Sequence, residues 1–487
     1  TSTGEPISFD VTDREFLAAY FEVLHRGLEA EGVDFWWLDW QSGPHSRVAG
    51  IDPLWMLNHF HFLDSARDGR RALTFSRYAG PGSHRYPVGF SGDTVISWAS
   101  LAFQPRFTAT ASNIGYGWWS HDIGGHFFGT KDDELATRWL QLGTFSPVLR
   151  LHSGSNEFTT KEPWTFAPEP ARVMTEFLRL RHRLVPYLHT MNHRASAGTP
   201  LVLPLYYRWP EQAQAYQVPN EFLFGSELVV AAITEPADHR TLLGRVAAWL
   251  PAGTWVDLLT DLVYDGDREI HLHRDLASIP VLARAGAIVP LDGDPAPAND
   301  PVNPGHLEVV VVVGADGTFA LVEDDDTRDG TVSRTEIRYD QASGSVTVVP
   351  PVGNLDHLPT ERTWTLTFPA LGGDAEPTAT VDGSTVAVQV RREATRRQVQ
   401  VPSVPVGAAL RVDLGPMPHL ATNDVRARLF ALLDRAQIEY ALKSRVLEVA
   451  TGDQPLALRA ARVMDLELEP ALAGAIAEVL LAQAGIR

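Results

Sequence analysis

The first 200 residues alternate short apolar segments with segments in which apolar residues recur every three or four positions. Between residues 13 and 30 this spacing predicts an amphipathic helix that ends at Gly32. A run of apolar residues then predicts a buried strand over residues 33–39. Four further strands are predicted, at residues 72–77, in a segment that ends near Asp93, at residues 117–122 and at residues 146–152.

Strands and helices that alternate along a chain favour an α/β fold with a parallel sheet. In a (β/α)8 TIM barrel, polar residues at the carboxyl ends of the strands carry the chemistry. We therefore predict that residues 1–200 form part of such a barrel. Eight strands close a barrel and five are predicted here, so an N-terminal fragment or a second subunit is expected to complete it.

The pattern changes after residue 200, where short β-rich segments are broken by Gly and Pro. These segments predict a proximal β-sandwich at 201–292, a Pro- and Asp-rich linker, and a distal β-sandwich at 305–415. Residues 416–487 are predicted to form a helical C-terminal extension. Its apolar stripe is expected to pack on the body of the chain or on a second subunit, as in a homo-oligomer; the stripe comprises Leu429, Leu432, Leu433 and Ala436.

Composition excludes several classes of function. The net charge of −19 argues against a nucleic-acid partner, because a phosphate backbone requires clustered Lys and Arg. No apolar run reaches the roughly 20 residues of a membrane helix. The chain has no cysteine, which excludes disulfides and thiolate metal sites. No signal peptide is recognised at residue 1, and a cytoplasmic location is slightly favoured over secretion.

Tryptophan is the more informative residue. The chain has 13 Trp, and many of them fall in its first third: Trp36, Trp37, Trp40, Trp55, Trp98, Trp118, Trp119, Trp139 and Trp164. Such a group fits a hydrophobic core. It equally fits a sugar pocket, since flat aromatic faces stack on the apolar face of a pyranose.

A sugar pocket directs attention to pairs of carboxylates. Cleavage of a glycosidic bond with retention needs one ionised carboxylate and one protonated carboxyl, about 5–5.5 Å apart. Asp39, Asp93 and Asp122 each stand at the predicted end of a strand. An Asp in this position is more often a helix cap or a turn former, so each residue alone is a weak indication.

Five ordered motifs strengthen the case. They are Trp37-Leu-Asp39, Arg77 with Gly92-Asp93 sixteen residues on, Ser120-His-Asp122-Ile-Gly-Gly, Arg138-Trp-Leu-Gln-Leu-Gly-Thr-Phe-Ser-Pro147 and Arg150-Leu-His152. With these motifs the sequence resembles glycoside hydrolase family 31 over roughly residues 5 to 400. The resemblance implies a retaining α-glycosidase without a cofactor or a metal. It also implies that the C-terminal five barrel strands are present here, while the family's N-terminal sandwich and first three strands have no counterpart.

The resemblance assigns roles to the candidate residues. Asp39 is implied as the covalent nucleophile and Asp93 as the general acid/base, with Arg77, Asp122 and His152 binding sugar hydroxyls. We expect the Arg77 cation to favour the ionised form of Asp39. The remaining pocket residues are implied to be Trp37, Trp40, Phe90, Trp119 and His126. Arg77 as a structural ion pair and His152 as a core histidine are the alternative interpretations.

Three departures from the family pattern concern the sugar. Trp40-Gln-Ser-Gly43 replaces the usual x-Asn-Glu, Phe90 stands where a Trp is frequent, and His126 where an aromatic residue is common. Glucose is the default glycone, and galactose, xylose or N-acetylgalactosamine remain open. A transglycosidase, a glucan lyase and a catalytically inactive carbohydrate-binding protein are the alternative functions.

Metal sites are not predicted elsewhere in the chain. The acidic stretch at residues 323–330 resembles part of a calcium loop, but it lacks the bidentate Glu at the required distance. His59 and His61 have no further ligands near them in the sequence.

Overall fold

The first part of the chain contains a parallel sheet of very short strands. The computed structural model describes residues 3–78, 80–298, 302–325, 330–374 and 376–485. The strands pair in chain order, and the first, second and fourth are shorter than predicted. Their bounds are β1 Trp37–Leu38, β2 Phe75–Arg77, β3 Gly89–Phe90 and β4 Trp119–Ser120. Because all four run in the same direction, their carboxyl ends meet at one edge of the sheet.

The fifth strand predicted at residues 146–152 does not form. The segment contains only an isolated parallel bridge between Ile123 and Leu151. The segment begins two residues after the last helical residue, Thr144, and the Ser146 hydroxyl donates back to the Leu142 carbonyl of that helix at 2.9 Å. Pro147 follows and has no backbone N–H for a strand ladder.

Helices alternate with these strands as predicted. The helix predicted at residues 13–30 forms as two α-helical segments joined by a π-helical turn at Tyr20–His25. Side chains of Asp13, Asp52, Ser97 and Asp132 accept backbone N–H groups and so fix the starts of four helices. The α-helices are α1 Arg14–Ala19, α2 Arg26–Ala30, α3 Pro53–Ser65, α4 Trp98–Ala111, α5 Asp133–Thr144, α6 Pro168–Arg183 and α7 Val185–Ser196.

A first β region follows, as the sequence predicts. It holds a sheet in the order β10-β9-β12-β7-β6-β5 and a two-stranded sheet of β11 and β8. The strands are β5 Val202–Leu203, β6 Glu221–Phe224, β7 Leu228–Ala231, β8 Gly244–Leu250, β9 Thr254–Asp257, β10 Val263–Asp265, β11 Arg268–Arg274 and β12 Val281–Arg284.

A second β region contains two larger sheets. One has the order β13-β14-β19-β23-β22, and the other has the order β15-β16-β17-β24-β20-β21 with β18 paired to β16. The strands are β13 Ile288–Asp292, β14 His306–Val311, β15 Gly317–Glu323, β16 Ser333–Asp340, β17 Ser345–Val348, β18 Val352–Gly353, β19 Glu361–Phe368, β20 Thr378–Val381, β21 Ser384–Val386, β22 Gln389–Glu393, β23 Arg396–Pro405 and β24 Leu410–Asp413.

The boundary between the β regions differs from the sequence pattern. The apolar segment 283–290 was predicted within the proximal region, but it divides between β12 of the first region and β13 of the second. Gly286 separates these strands with φ +90°, and a Cβ there would lie 2.5 Å from the Asp316 carbonyl oxygen. Residues 299–301 of the predicted linker and 326–329 of the acidic stretch lie outside the described residues.

The C-terminal extension is helical, as predicted. Its apolar stripe packs within the same chain, where Leu429 and Leu433 join a buried cluster formed by the helices of this extension. Glu478 anchors the cluster to the first β region by an ion pair with Arg274 and a hydrogen bond with His273. The helices are α8 Val425–Arg435, α9 Tyr440–Thr451, α10 Leu456–Met464 and α11 Pro470–Leu481. Among the described residues, no helix has the length and apolar character to cross a membrane.

Candidate active site

The candidate acidic residues lie at the carboxyl edge of the parallel sheet. Asp39 directly follows β1, Asp93 lies three residues after β3, and Asp122 lies two residues after β4. Asp39 also caps a short 3-10 helix at Trp40–Ser42, since its Oδ1 accepts the Trp40 backbone N–H at 2.8 Å. The structure therefore places the three predicted carboxylates on one edge.

Arg77, the last residue of β2, connects two of these carboxylates. Its Nε donates to Asp39 Oδ1, and its Nη2 donates to Asp93 Oδ1 at 3.2 Å. Burial lowers the pKa of Arg77, but the hydrogen bonds and charges of Asp39 and Asp93 outweigh burial and raise the pKa overall. One guanidinium thus holds both predicted catalytic carboxylates.

The close approach of Arg77 requires a glycine at position 92. Gly92 has φ +85°, a backbone conformation that L side chains rarely adopt. A Cβ at this position would lie 2.2 Å from Arg77 Nη1. The Gly-Asp pair in the sequence therefore has a steric reason, because the residue before Asp93 must leave room for the guanidinium.

Asp122 is buried and already paired. Its side chain is 1% exposed, and its Oδ1 accepts Arg150 Nη2 at 2.7 Å. Its Oδ2 accepts the backbone N–H of Thr94 at 2.9 Å. Both carboxylate oxygens therefore have partners in the protein, and one of these partners is the residue next to Asp93.

Arg150 is central to the site, although the sequence prediction gave it no role. Its guanidinium carbon lies 5.2 Å from the ring centre of Trp37, 5.4 Å from that of Phe75 and 5.5 Å from that of Phe90. Burial lowers the pKa of Arg150, and the charge and hydrogen bond of Asp122 oppose this effect. The available signal was its place in Arg150-Leu-His152, two residues from a predicted site residue.

His126, His152 and Trp37 form an aromatic wall beside the carboxylates. The rings of His126 and His152 stack at 4.6 Å, and Trp37 lies 5.3 Å from His152. His126 Nε2 is 3.9 Å from Asp93 Oδ1. Burial, followed by the charge of Arg150, lowers the pKa of His152. Trp37 is 46% exposed, so its ring faces open space beside the carboxylates.

Phe90 and Trp40, which are also predicted to line the pocket, differ in their exposure to solvent. Phe90 is buried, and its ring lies 5.7 Å from the guanidinium carbon of Arg77. Trp40 is 63% exposed in the 3-10 turn after Asp39.

Trp119 lies on the side of its strand that faces α4. It is fully buried, and its ring packs against Phe107 of α4 at 4.7 Å. Neighbouring residues of a strand face opposite sides, and Ser120 takes the side towards the site, where its hydroxyl accepts Arg150 Nε at 3.1 Å. Trp119 and Asp93 both line a cavity of about 550 Å³ beside α4, so the assignment of Trp119 to a sugar pocket stays a prediction.

The charges of the site do not favour a bound cation. Ligand atoms of Asp93, Asp122 and His126 lie within 4.8 Å of one another. However, the guanidinium groups of Arg77 and Arg150 already supply positive charge to Asp93 and Asp122. The histidines that the sequence left without metal partners contact tyrosines: His59 pairs with Tyr86 at 2.9 Å, and His61 with Tyr20 at 3.1 Å.

Sequence comparisons identify relatives of this chain. Residues 2–191 match the glycosyl hydrolases family 31 TIM-barrel domain, and residues 198–289 match the glycosyl hydrolase family 31 C-terminal domain. The chain is 26% identical over 322 residues to alpha-glucosidase 2 of Bacillus thermoamyloliquefaciens, covering 65% of this chain and 40% of that protein. It is 28% identical over 284 residues to an alpha-xylosidase of Saccharolobus solfataricus, covering 57% of this chain and 36% of that protein.

A structural comparison agrees with these matches. The GH31 dextranase FjDex31A of Flavobacterium johnsoniae, complexed with glucose, superposes with a TM-score of 0.71 at 20% identity, covering 83% of this chain and 56% of that chain. This likeness shows a shared fold. The chain spans well under two thirds of the curated relatives named above. The two domain matches cover more than half of its residues, and the chain belongs to glycoside hydrolase family 31.

Proposed function

We propose that this chain carries the catalytic carboxylates of a retaining α-glycoside hydrolase, with α-linked oligosaccharides or glycosides as substrates. The observation that carries the proposal is the hydrogen bonding of Asp39 and Asp93 to one guanidinium, that of Arg77. Two carboxylates held by one small planar group are close together. Retaining enzymes keep their two carboxyl groups about 5–5.5 Å apart, while inverting enzymes keep theirs about 6.5–9.5 Å apart. A guanidinium shared by both carboxylates supports the shorter arrangement.

The reaction has two displacements. Asp39 attacks the anomeric carbon while Asp93 donates its proton to the departing glycosidic oxygen, which leaves a covalent glycosyl-Asp39 ester. Asp93, now ionised, removes a proton from water, and the resulting oxygen nucleophile breaks the ester from the other face. The product keeps the α configuration because each displacement inverts the anomeric carbon once.

The other residues orient these two groups and the sugar. Arg77 fixes the direction of both carboxylates, and Asp122 holds the backbone beside Asp93 through Thr94. His152 and His126 present imidazole groups to sugar hydroxyls at the aromatic wall. Trp37 offers an exposed ring face for the apolar side of the pyranose.

Glucose is the proposed glycone, because relatives of the chain include proteins named α-glucosidases. A relative named an α-xylosidase keeps xylose as a candidate. Galactose and N-acetylgalactosamine remain candidates because the departures from the family pattern at residues 40–43, Phe90 and His126 leave the glycone open. A transglycosidase differs only in the acceptor that resolves the ester. A catalytically inactive carbohydrate-binding protein has no need of the paired Asp39 and Asp93.

The proposal includes a partner for the parallel sheet. Within the described residues this sheet has four strands, with two isolated parallel bridges beyond them, whereas a closed barrel has eight strands. We propose that an N-terminal segment, present as a fragment or as a second subunit, completes the barrel and one wall of the pocket. Activity is therefore to be measured on the protein together with that segment.

A substrate panel tests the proposed function. p-Nitrophenyl α-glycosides of glucose, galactose, xylose and N-acetylgalactosamine are offered to the wild type and to Asp39→Ala. We expect one glycoside to be turned over and the turnover to be lost in Asp39→Ala. Asp453→Ala, which changes an exposed Asp far along the chain, is the matched control and keeps wild-type turnover. Activity that survives Asp39→Ala would falsify the assignment of the nucleophile.

A further inference from the structure

A second cluster of ionisable side chains lies away from the carboxylate edge. His189 and His193 stand one turn apart on α7, and Asp324 directly follows β15. His189 Nε2 lies 3.4 Å from Asp324 Oδ1, and His193 Nε2 lies 3.2 Å from Asp324 Oδ2. Two imidazoles on one helix therefore face a single carboxylate from the second β region.

The spacing of these atoms matches a tetrahedral metal site. Zn²⁺ binds imidazole nitrogen at about 2.0–2.1 Å and carboxylate oxygen at about 2.0–2.2 Å, so neighbouring ligand atoms in a tetrahedron lie roughly 3.4 Å apart. The nitrogen–oxygen distances here are 3.4 and 3.2 Å, and ligand atoms of the three residues all lie within 4.8 Å of one another. Small rotations of the side chains would bring them around one ion.

The carboxylate of Asp324 is buried, whereas the imidazoles of His189 and His193 are partly exposed. The Asp324 side chain is 3% exposed, and its backbone carbonyl accepts Asn303 Nδ2 at 3.0 Å. The two histidines are about 30% exposed, which leaves a path for an ion and room for water as a further ligand. Imidazole and carboxylate together suit a first-row ion of the zinc type better than calcium, which prefers oxygen ligands alone.

One cation competes for the same carboxylate. Arg71 Nη2 lies 3.4 Å from Asp324 Oδ2, and the Arg71 side chain is 47% exposed. An ion that binds Asp324 would displace this guanidinium towards solvent. The competition gives the site a testable property, because removal of the positive charge at position 71 favours a metal cation.

We propose that His189, His193 and Asp324 form a binding site for a zinc-type transition-metal ion. The ion would join α7 to the second β region, two elements separated by more than 100 residues of chain. Its role is to hold these two parts of the chain together, independently of Asp39 and Asp93. The site requires neutral imidazoles, so binding releases protons where the histidines are charged.

Metal titration tests the proposal on the full chain. The EDTA-treated, dialysed protein is titrated with ZnCl₂ by calorimetry, and the bound metal is counted by mass spectrometry. We expect about one Zn²⁺ per chain and a higher melting temperature with zinc than without it. His189→Gln and His193→Gln are each expected to lower the affinity at least about tenfold. His239→Gln, at a side chain that is 87% exposed, is the matched control and keeps wild-type binding.

A variant at Arg71 provides a second test, in which the affinity for zinc is expected to rise. Arg71→Ala removes the competing guanidinium and is expected to tighten zinc binding, while Arg70→Ala at the exposed neighbouring position leaves it unchanged. Zinc binding that is equal in the wild type and both histidine variants contradicts the site. So does a wild type that binds no zinc, in which case the cluster is an ion pair between histidine and Asp324 only. Because Arg71→Ala leaves the three ligands in place, its tighter binding cannot be attributed to misfolding.

Discussion

Arg150 and Asp122 form a charged pair at the centre of the candidate site, with Arg150 Nη2 2.7 Å from Asp122 Oδ1. The two side chains are 14% and 1% exposed, respectively. Arg150 also lies over the rings of Trp37, Phe75 and Phe90. The pair therefore connects the aromatic wall to the backbone beside Asp93, because Asp122 Oδ2 holds the Thr94 N–H.

Removal of Arg150 is expected to destabilise the fold. Arg150→Met leaves the buried Asp122 carboxylate without its cation, and such a loss costs about 3–5 kcal/mol of unfolding free energy. The double variant Arg150→Met/Asp122→Asn removes both charges and is expected to lose clearly less unfolding free energy than Arg150→Met. Urea unfolding followed by circular dichroism measures both values.

The control for this prediction is an exposed ion pair. Arg172 and Glu176 pair at 2.8 Å with side chains that are 54% and 52% exposed, so Arg172→Met is expected to cost about 0–1 kcal/mol. If Arg150→Met costs as little as Arg172→Met, the pair at the site does not stabilise the fold. A double variant no more stable than Arg150→Met would show that the unpaired charge is not the cause of the loss.

Gly92→Ala is expected to disturb the geometry of both carboxylates. The new Cβ meets Arg77 Nη1 at 2.2 Å, and the residue keeps a φ of +85° that favours glycine. The backbone conformation alone costs about 1–2 kcal/mol. The displaced Arg77 then holds Asp39 and Asp93 less well, so kcat is expected to fall in addition to the loss of stability.

Gly50→Ala separates these two effects. Gly50 has φ +78°, close to that of Gly92, but a Cβ there meets no atom within 4 Å. The two variants therefore share the backbone cost, and only Gly92→Ala touches Arg77. Thermal unfolding and turnover of the best substrate are measured for both. An equal kcat in the two variants would show that Arg77 tolerates the added methyl group.

The placement of the site followed from the sequence because parallel strands end at one edge. Asp39, Arg77, Asp93 and Asp122 were each assigned to a strand end, and the structure brings them to one edge of the sheet. This inference needs only the direction of the strands, which the alternation of strands and helices provides. The strand lengths do not affect it, although β1, β2 and β4 are shorter than predicted.

Side-chain direction was harder to predict. In strands of two or three residues the alternation of faces has no long pattern to fix it, so the contact of the Trp119 ring with Phe107 of α4 could not be read from the sequence. The role of Arg150 depends on Asp122, which comes from a different strand end. A contact of this kind is determined by tertiary packing and leaves no periodic signal in the chain.

Glu221, which lies outside the candidate site, is expected to make the stability of the fold depend on pH. The residue is buried in β6, and burial raises the pKa of its carboxyl from 4.5 to about 8, against the opposing hydrogen bond from the Trp249 N–H. The folded state therefore binds a proton that the unfolded state has lost. This contribution to stability is complete below pH 4.5, declines as the pH rises and is lost by about pH 8.

Glu221→Gln removes this titration while keeping an oxygen acceptor for the Trp249 N–H, which lies 2.8 Å from Glu221 Oε2. We expect the variant to gain stability relative to the wild type between pH 5 and pH 8, by about 1 kcal/mol or more. Urea unfolding at several pH values measures the difference. Glu448→Gln, which makes the same change at an exposed Glu, is measured alongside as the control. A difference for Glu221→Gln that does not change with pH would contradict the burial argument.

The mechanism of two displacements can be tested with azide as an external nucleophile. In Asp93→Ala a substrate with a good leaving group still forms the glycosyl-Asp39 ester, but no base remains to activate water, so turnover is expected to fall about 10²–10⁴-fold. Azide needs no base and attacks the ester on the face that water would use, so it should restore turnover and give the α-glycosyl azide. In Asp39→Ala azide takes the place of the missing carboxylate and should give the β-glycosyl azide.

The configuration of the azide product, read by NMR, discriminates between mechanisms. An inverting enzyme with Asp39 as base has no covalent ester, so its Asp93→Ala variant has no route to an α-glycosyl azide. Retention therefore predicts opposite anomers from the two variants, because azide enters at the second displacement in one and at the first in the other. A β-glycosyl azide from Asp93→Ala would mean that Asp39 does not form the intermediate. Asp93 and Asp39, both hydrogen-bonded to Arg77, would then act as acid and base on opposite faces of the sugar, with the water between Asp39 and the anomeric carbon.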